Sequence, residues 1–394
     1  MIFSDYQGIK ISRLAFGTMR LPCHEDKTID SEQVCEMVDY ALANGVNYFD
    51  TAVPYHGGMS EIEIGKALGR HPRESFYLAT KYPGHQIADE YHPDEIFEMQ
   101  LKKCNVEYFD FYLLHNVYEK SMPVYQDKRW GIIDYFVEQK RLGRIKHLGF
   151  SSHGRPDNLK EFLDYCGDKM EFCQIQLNWL DWTLQEAQKK VELLNARNIP
   201  IWVMEPVRGG RLCKLPAGAL EYMKAKRPDE SIASWSFRWL MNIPGVSVIL
   251  SGMSNMEQMQ DNVKTFSTDK PLTAEENAFL LDSAEKMKKS LPCTGCRYCT
   301  DGCPQGLDIP ALITALNDIN FNPESTQTPA MALQALPADK LPTACIGCGA
   351  CAAICPQKID IPAAMQELSG KLNKLPNWAE ISKERAEEIK KFQK

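Results

Sequence analysis

Short apolar runs alternate with stretches whose apolar positions recur every three or four residues, from Leu14 to Phe266. The runs are Leu14–Met19, Val46–Asp50, Phe76–Lys81, Tyr108–His115, Ile145–Ser151, Phe172–Leu177, Ile201–Glu205 and Val246–Ser251. They read as buried strands. The intervening stretches are Ser31–Asn44, Ser60–Gly69, Pro93–Cys104, Trp130–Arg141, Asn158–Cys166, Leu184–Ala196, Ile232–Met241 and Met256–Phe266. They read as helices, with Ser31 a candidate N-cap and Gly45 a stop for the first. A short hairpin is expected around Gln7-Gly8.

Eight strand–helix units imply parallel strands joined by crossovers. Their number and size match an α/β fold of the (β/α)8 TIM-barrel type, over residues 1–270. A doubly wound open sheet is the alternative. It is disfavoured because no Gly-x-Gly-x-x-Gly follows the first strand. Polar residues at the strand C-terminal ends line the active site of a barrel, and here Asp50, Lys81, His115, Ser151, Gln174 and Glu205 occupy those ends. Residues 271–290 predict a polar connecting helix. Beyond it the alternation stops, and 291–394, punctuated by cysteine and proline, reads as a smaller, mainly helical domain. Within it 322–343, with four prolines, predicts a loop, and Glu380–Lys394 a charged, solvated helix.

Composition narrows the class. The chain has 394 residues, 44% hydrophobic and 25% charged, as globular proteins do. A net charge of −7 points away from nucleic acid and anionic membrane. No signal peptide or 18-residue apolar run is visible, so a soluble, cytoplasmic protein is expected. Of 14 cysteines, eight fall in two clusters near the C-terminus. A secreted disulfide framework does not suit so large a chain without an export signal.

Asp50, Tyr55, Lys81 and His115 converge from the ends of the second, third and fourth strands. A tyrosine pKa near 10 is high for proton transfer at neutral pH. A nearby lysine is expected to lower it, a carboxylate to hold that lysine, and a neutral histidine to bond a carbonyl oxygen. The set suits general acid catalysis of hydride addition to a carbonyl, or its reverse. A structural ion pair with a core histidine is the alternative for any one of these residues alone. The run Asp50-Thr51-Ala52-Val53-Pro54-Tyr55, with Ser60-Glu61, Gly65-Lys66-Ala67-Leu68, Ala79-Thr80-Lys81 and Leu113-Leu114-His115, resembles the signature of the aldo-keto reductases. The resemblance covers roughly residues 8–265. It implies a nicotinamide-dependent barrel in which Tyr55 donates the proton, Lys81 and Asp50 tune it, and His115 orients the carbonyl.

On the cofactor side, Gly149-Phe150-Ser151-Ser152-His153 resembles that family's Gly-x-Ser-Asn segment, and Gln174 its glutamine. The resemblance implies that Ser151, Ser152 and Gln174 bind the nicotinamide carboxamide. Pro206 with Gly209-Gly210-Arg211-Leu212 resembles the pyrophosphate loop. Gly252, Ser254, Gln258, Asp261 and Asn262 resemble the adenosine end. Ser152 replaces an asparagine, and Met204 stands where many members stack a tyrosine. Gly252 and Gln258 replace two cations, which weakens recognition of a 2′-phosphate. NADP and NAD therefore remain equal alternatives. Arg208 and Arg211 either clamp an anionic substrate or lie solvated.

Cys293-x2-Cys296-x2-Cys299-x3-Cys303-Pro304 recurs as Cys345-x2-Cys348-x2-Cys351-x3-Cys355-Pro356. This is the spacing of bacterial ferredoxins, in which the fourth cysteine ligates the other cluster. It assigns Cys293, Cys296, Cys299 and Cys355 to one 4Fe-4S cluster, and Cys345, Cys348, Cys351 and Cys303 to a second. Ile309-Pro310 and Ile361-Pro362 extend the repeat. Zinc is the alternative, although structural zinc takes two separated ligand pairs. The domain resembles helical ferredoxins. The other cysteines, at 23, 35, 104, 166, 173 and 213, show no ligand spacing and read mostly as buried filler.

The expected function is hydride exchange between a nicotinamide and a small carbonyl or alcohol substrate, beside clusters that are structural or a docking site. Two alternatives stand: electrons entering from a ferredoxin-like partner, and a nicotinamide-binding redox sensor. No flavin motif is apparent to divide a two-electron hydride between one-electron clusters.

Overall fold

A computed structural model describes residues 1–86, 88–287, 291–321 and 326–375. The chain divides into two compact units, Met1–Leu280 and Leu281–Lys394.

The first unit opens with β1 (Phe3–Tyr6) and β2 (Ile9–Ser12), an antiparallel hairpin turned through Gln7 and Gly8, both at positive φ. Eight parallel strands follow: β3 (Leu14–Gly17), β4 (Tyr48–Asp50), β5 (Tyr77–Tyr82), β6 (Phe109–Leu114), β7 (Ile145–Ser152), β8 (Cys173–Gln176), β9 (Ile201–Met204) and β10 (Val246–Ser251). They close in sequence order, β10 pairing with both β3 and β9. The barrel interior is filled by Ala15, Tyr48, Ala79, Phe111, Leu113, Phe172, Trp202 and Val248, and the hairpin's Tyr6 and Ile11 join that cluster. Gly149 permits the packing of β7 on β8, since a Cβ there would stand 2.5 Å from the Phe172 carbonyl oxygen.

Around the barrel lie α1 (Ser31–Ala43), α2 (Ser60–Leu68), α3 (Pro93–Cys104), α4 (Met122–Gln126), α5 (Ile132–Arg141), α6 (Pro156–Cys166), α7 (Asp181–Leu184), α8 (Ala187–Asn195), α9 (Ala217–Lys226), α10 (Ile232–Met241) and α11 (Met256–Phe266). The N-cap of α1 is Asp30, whose Oδ1 accepts from the Gln33 amide, and not Ser31. The stretch expected as one helix over Leu184–Ala196 is two, because Glu186 at φ 52° breaks the ladder between α7 and α8. The sequence pattern does not foresee α9, whose residues Ala-Gly-Ala-Leu-Glu-Tyr-Met-Lys-Ala-Lys gather no apolar stripe on one side. The connecting helix is α12 (Ala274–Met287), and positions 288–290 of that expectation lie outside the described residues.

The second unit contains α13 (Ile309–Phe321), α14 (Gln327–Gln334), α15 (Ala350–Ile354) and α16 (Ile361–Lys371). Its core gathers Leu307, Ile309, Leu312, Ile313, Leu316, Leu333, Ile359, Ile361, Met365 and Leu368. The cysteine repeat is also a structural repeat. Asp308 and Asp360 each accept a backbone N–H three residues on, from Ala311 and Ala363, and so start α13 and α16 alike. Pro310 and Pro362 sit in the first turn, where a missing donor costs nothing. Helix α14 lies inside the expected proline loop: Pro329 falls in its first turn, a position open to proline. Residues 322–325 and the expected tail helix over Glu380–Lys394 lie outside the described residues. Among the described residues no helix is long and apolar enough to cross a membrane.

Candidate active site

The C-terminal ends of β4, β5 and β6 bring the expected tetrad together. Asp50 ends β4 and is buried, as is Lys81 in β5. The Lys81 Nζ donates to Asp50 Oδ1 at 2.5 Å and to the Thr51 carbonyl at 2.7 Å. Tyr55 starts a tight turn anchored by its N–H on the Ala52 carbonyl, and its ring centroid lies 5.0 Å from the Lys81 Nζ. His115, just beyond β6, meets the Tyr55 ring edge-on at 6.1 Å between centroids.

A polar floor holds the lysine from behind. Gln100 Nε2 donates to the Lys81 carbonyl and to Glu61 Oε1, at 3.0 and 2.8 Å. Thr80 Oγ1 also donates to Glu61, and Tyr112 Oη donates to Gln100. All four side chains are fully buried. On the other side Ser60 Oγ shares hydrogen bonds with Thr18 and Thr51, and Thr18 donates to the Asp50 carbonyl.

Burial dominates the electrostatics. It pulls the Lys81 ammonium below its ordinary range against the opposing pull of Asp50, and raises the Asp50 carboxyl. The Tyr55 phenol is raised well above its ordinary value by burial, then by Asp50 and Glu205. This corrects the expectation that Lys81 lowers it: Asp50 already balances the ammonium, and the carboxylates repel a phenolate. His115 is held well below the usual imidazole range by burial, with His85, Lys81 and His153 adding, so it is neutral.

The expected cofactor residues occupy the adjoining rim. Ser151 pairs in register with Gln174, and Gln176 with Met204. Gln174 Nε2 lies 3.8 Å from Met204 Sδ, and its Oε1 is buried without a partner. Ser151 Oγ accepts the Asn116 N–H, leaving its own O–H to give. Ser152 is already used: it donates to the Val117 carbonyl and accepts from the Gly154 N–H. In the loop from Pro206 to Leu212, the Gly210 and Leu212 amides both donate to the Val207 carbonyl, with Gly209 and Gly210 at positive φ. Arg208 is neither solvated nor exposed: it is buried, and its Nε donates to both Asp181 oxygens at 3.0–3.1 Å. At the end of β10, Gln258 Oε1 accepts the Ser254 N–H, and Asn262 donates to Ser251 Oγ. Arg20 packs over Gly252, whose added Cβ would stand 3.3 Å from the Arg20 Cβ.

Sequence reasoning placed Glu205 at a strand end and His153 in a motif but gave neither a task, and passed over His85 and Asp181. Glu205 follows β9 at φ 59°, its carbonyl accepting from Asn178 and from the Arg208 amide. Its Oε2 is buried without a partner. Burial pushes its carboxyl up to about 7, against Arg20 and Arg208 and with Asp181.

Among the described residues of the second unit, one hollow is lined by Cys345, Cys348, Cys351 and Cys303, and another by Cys293, Cys296, Cys299 and Cys355. Each takes its fourth thiol from the other repeat. Among the described residues no three His, Cys, Asp or Glu side chains close on a single metal ion. Of the remaining cysteines, 104, 166 and 173 are buried, 35 and 213 half-buried, and Cys23 is exposed rather than filler.

The profile of the Aldo/keto reductase family matches residues 13–284, and that of the 4Fe-4S dicluster domain matches 292–359. A soybean (Glycine max) protein described as probable aldo-keto reductase 1 is 29% identical over 215 residues, 52% of this chain and 58% of its own length. The chain thus spans less than two thirds of that relative. A Bacillus subtilis protein described as an uncharacterized oxidoreductase is 26% identical over 299 residues, covering 68% of this chain and 91% of the relative. The solved holo form of an aldo-keto reductase from Bacillus halodurans matches with a TM-score of 0.56 at 24% identity, over 72% of this chain and 96% of that one. That likeness speaks for the fold alone.

Glu205 gives a prediction. Its folded pKa is raised, so the folded state favours the protonated acid, and stability falls as pH rises from the unfolded value near 4.5 through about 7. Glu205→Gln removes that penalty. In urea denaturation the variant should gain on the order of 2–3 kcal/mol relative to wild type between pH 4 and pH 8. Parallel pH profiles would mean that Glu205 is not a strained buried acid.

Proposed function

The chain belongs to the aldo/keto reductase family, and from that membership we propose that its barrel exchanges hydride between a nicotinamide dinucleotide and a small carbonyl or alcohol. The observation that carries this reading is the buried Asp50–Lys81 pair, 2.5 Å long, beneath the ring of Tyr55 and beside a neutral His115. A bound nicotinamide supplies hydride to the carbonyl carbon, or accepts it from the alcohol. The rest falls to the protein. Tyr55, its phenol held protonated at neutral pH, gives its proton to the carbonyl oxygen in reduction. In oxidation the proton returns to Tyr55, whose phenolate is reached only as pH rises, so alcohol oxidation gains with pH while reduction does not. His115, neutral, has one N–H to offer and orients the carbonyl without competing for the proton.

The rim residues fit a nicotinamide. The unpaired Gln174 Oε1 is an acceptor for a carboxamide N–H, and the Ser151 hydroxyl a donor for its carbonyl. Met204 offers a polarisable contact to a ring face. Pro206, Gly209, Gly210, Arg211 and Leu212 would border the pyrophosphate, and Gly252, Ser254, Gln258, Asp261 and Asn262 the adenosine end. Neither NAD nor NADP is favoured by these residues.

For the second unit the reading is two 4Fe-4S clusters with exchanged fourth ligands, supported by the two four-thiol cavities. A ferredoxin-like electron partner is the second reading. The exposure of Cys348 and of Ile346 beside it favours that reading, because electron exchange requires a cluster close to the surface. The proposed location is the cytoplasm.

Two experiments test these readings. Tyr55→Phe should lower kcat for carbonyl reduction by about 100-fold or more while leaving nicotinamide affinity near wild type. Unchanged turnover would remove Tyr55 from the reaction. For the clusters, electron paramagnetic resonance of reduced variants should pair Cys355→Ser with Cys296→Ser, both perturbing one signal, and Cys303→Ser with Cys348→Ser. The opposite pairing would overturn the exchange of ligands.

A further inference from the structure

The two cysteine repeats fold alike but differ at one position that borders a thiol hollow. The Thr300 N–H closes a turn on the Arg297 carbonyl at 2.9 Å, and the Ala352 N–H closes the matching turn on the Gly349 carbonyl at 3.1 Å. Arg297 stands at φ 68° and Gly349 at φ 78°. Glycine adopts this left-handed conformation freely, whereas a side chain crowds it. The first repeat thus places a strained arginine where the second shows that glycine suffices.

Arg297 lines the hollow of Cys293, Cys296, Cys299 and Cys355. Its Nη1 and Nη2 donate to Asp308 Oδ1 and Oδ2, both at 3.2 Å. Asp308 starts α13, and Pro310, two residues on, lines the same hollow. Fastening the fold is a poor explanation of this pair. Both side chains are about half exposed, and ion pairs so exposed contribute little to stability. The second repeat also does without one: Gly349 has no side chain to offer, yet Asp360 starts α16 in the same way. Lys358 and Lys340 carry charge near the repeats as well, but neither lines a hollow. Lys358 takes the place of Gly306, and the Lys340 Nζ donates to the Gln305 carbonyl at 2.7 Å.

We infer that Arg297 raises the reduction potential of the cluster held by Cys293, Cys296, Cys299 and Cys355, and that Asp308 moderates the effect. This rests on the two-cluster reading above. Reduction brings in one electron from a one-electron donor, and no bond forms or breaks. It adds a negative charge to a group already bound by four thiolates, so local charge is one of the levers on its potential. A guanidinium in the wall of the hollow stays protonated and favours the reduced form. A carboxylate paired with it offsets part of that attraction. Such a residue has a use only where the cluster takes up and releases an electron. The first cluster is therefore a redox centre and not merely a cross-link between the repeats, and the second is left without that cation.

The full-length, iron-replete protein is titrated anaerobically with dithionite and redox mediators. Electron paramagnetic resonance follows the signal that Cys296→Ser perturbs. Arg297→Gly, which relieves the backbone, should make that cluster about tenfold harder to reduce. For a one-electron couple this lowers the midpoint by about 59 mV. The other signal should stay in place. Asp308→Asn, which keeps an acceptor for the Ala311 N–H, should shift the midpoint the opposite way, upward. Arg297→Lys, which keeps the charge, should remain near wild type. A structural role makes a different forecast, because the glycine and asparagine variants break the same ion pair and would act alike. Shifts in the same direction from those two, no shift from either, or a lysine variant that falls as far as glycine overturns the inference while the clusters stand. Reconstituted protein with no 4Fe-4S signal would overturn the two-cluster reading itself, and the inference with it.

Discussion

The arrangement at the barrel mouth depends on one buried ion pair. Lys81 and Asp50 have almost no solvent exposure, and removing two charges from water costs several kcal/mol apiece before attraction returns any of it. Such a pair persists only where its remaining hydrogen-bonding capacity is met. Lys81 gives a second proton to the Thr51 carbonyl, and the Glu61, Thr80, Gln100 and Tyr112 floor fixes the strand that carries it. On the Asp50 side Thr18, Thr51 and Ser60 tie three chain segments together. One carboxylate oxygen of Asp50 is buried without a partner among the described residues.

The same low-dielectric mouth governs its neighbours. Burial is the first cause at Tyr55, His115, His85, His153 and Glu205, and each is pushed toward its neutral form. A site of neutral donors and acceptors around one balanced ion pair is suited to a neutral substrate. In the proposed reaction it would place the charge that develops on a carbonyl oxygen beside a protonated tyrosine rather than in water. Glu205 differs from the others in titrating close to neutrality, and it stands between Met204 and Pro206, where the proposed cofactor would pass.

Much of this was legible in the sequence, for identifiable reasons. Strand ends are easy to find when a strand is a continuous apolar run, so Asp50, Lys81 and His115 could be placed at the barrel mouth before any coordinates. The cysteine spacing carried the exchange of fourth thiols, because a repeat folded twice juxtaposes its own copies. Other features were hidden because they depend on tertiary context. Glu186 in a left-handed conformation gives no pattern signal, and α9 has no apolar side. Arg208 looks like a loop arginine until Asp181, 27 residues away, buries it. The direction of the Tyr55 shift was misjudged because a nearby cation was counted without the burial that outweighs it and the carboxylates that offset it.

The central claim is that electrons reach the substrate as hydride from a nicotinamide and not one at a time through the clusters. Isotope transfer tests it most directly. The full chain, reduced and anaerobic, is given nicotinamide deuterated at the transferring position of C4, with a carbonyl substrate that it turns over, and the alcohol is analysed by mass spectrometry and NMR. The account predicts deuterium at the carbinol carbon, in proportion to nicotinamide oxidised. An alcohol whose new carbon-bound hydrogen comes from solvent would contradict it and point to delivery through the iron–sulfur unit.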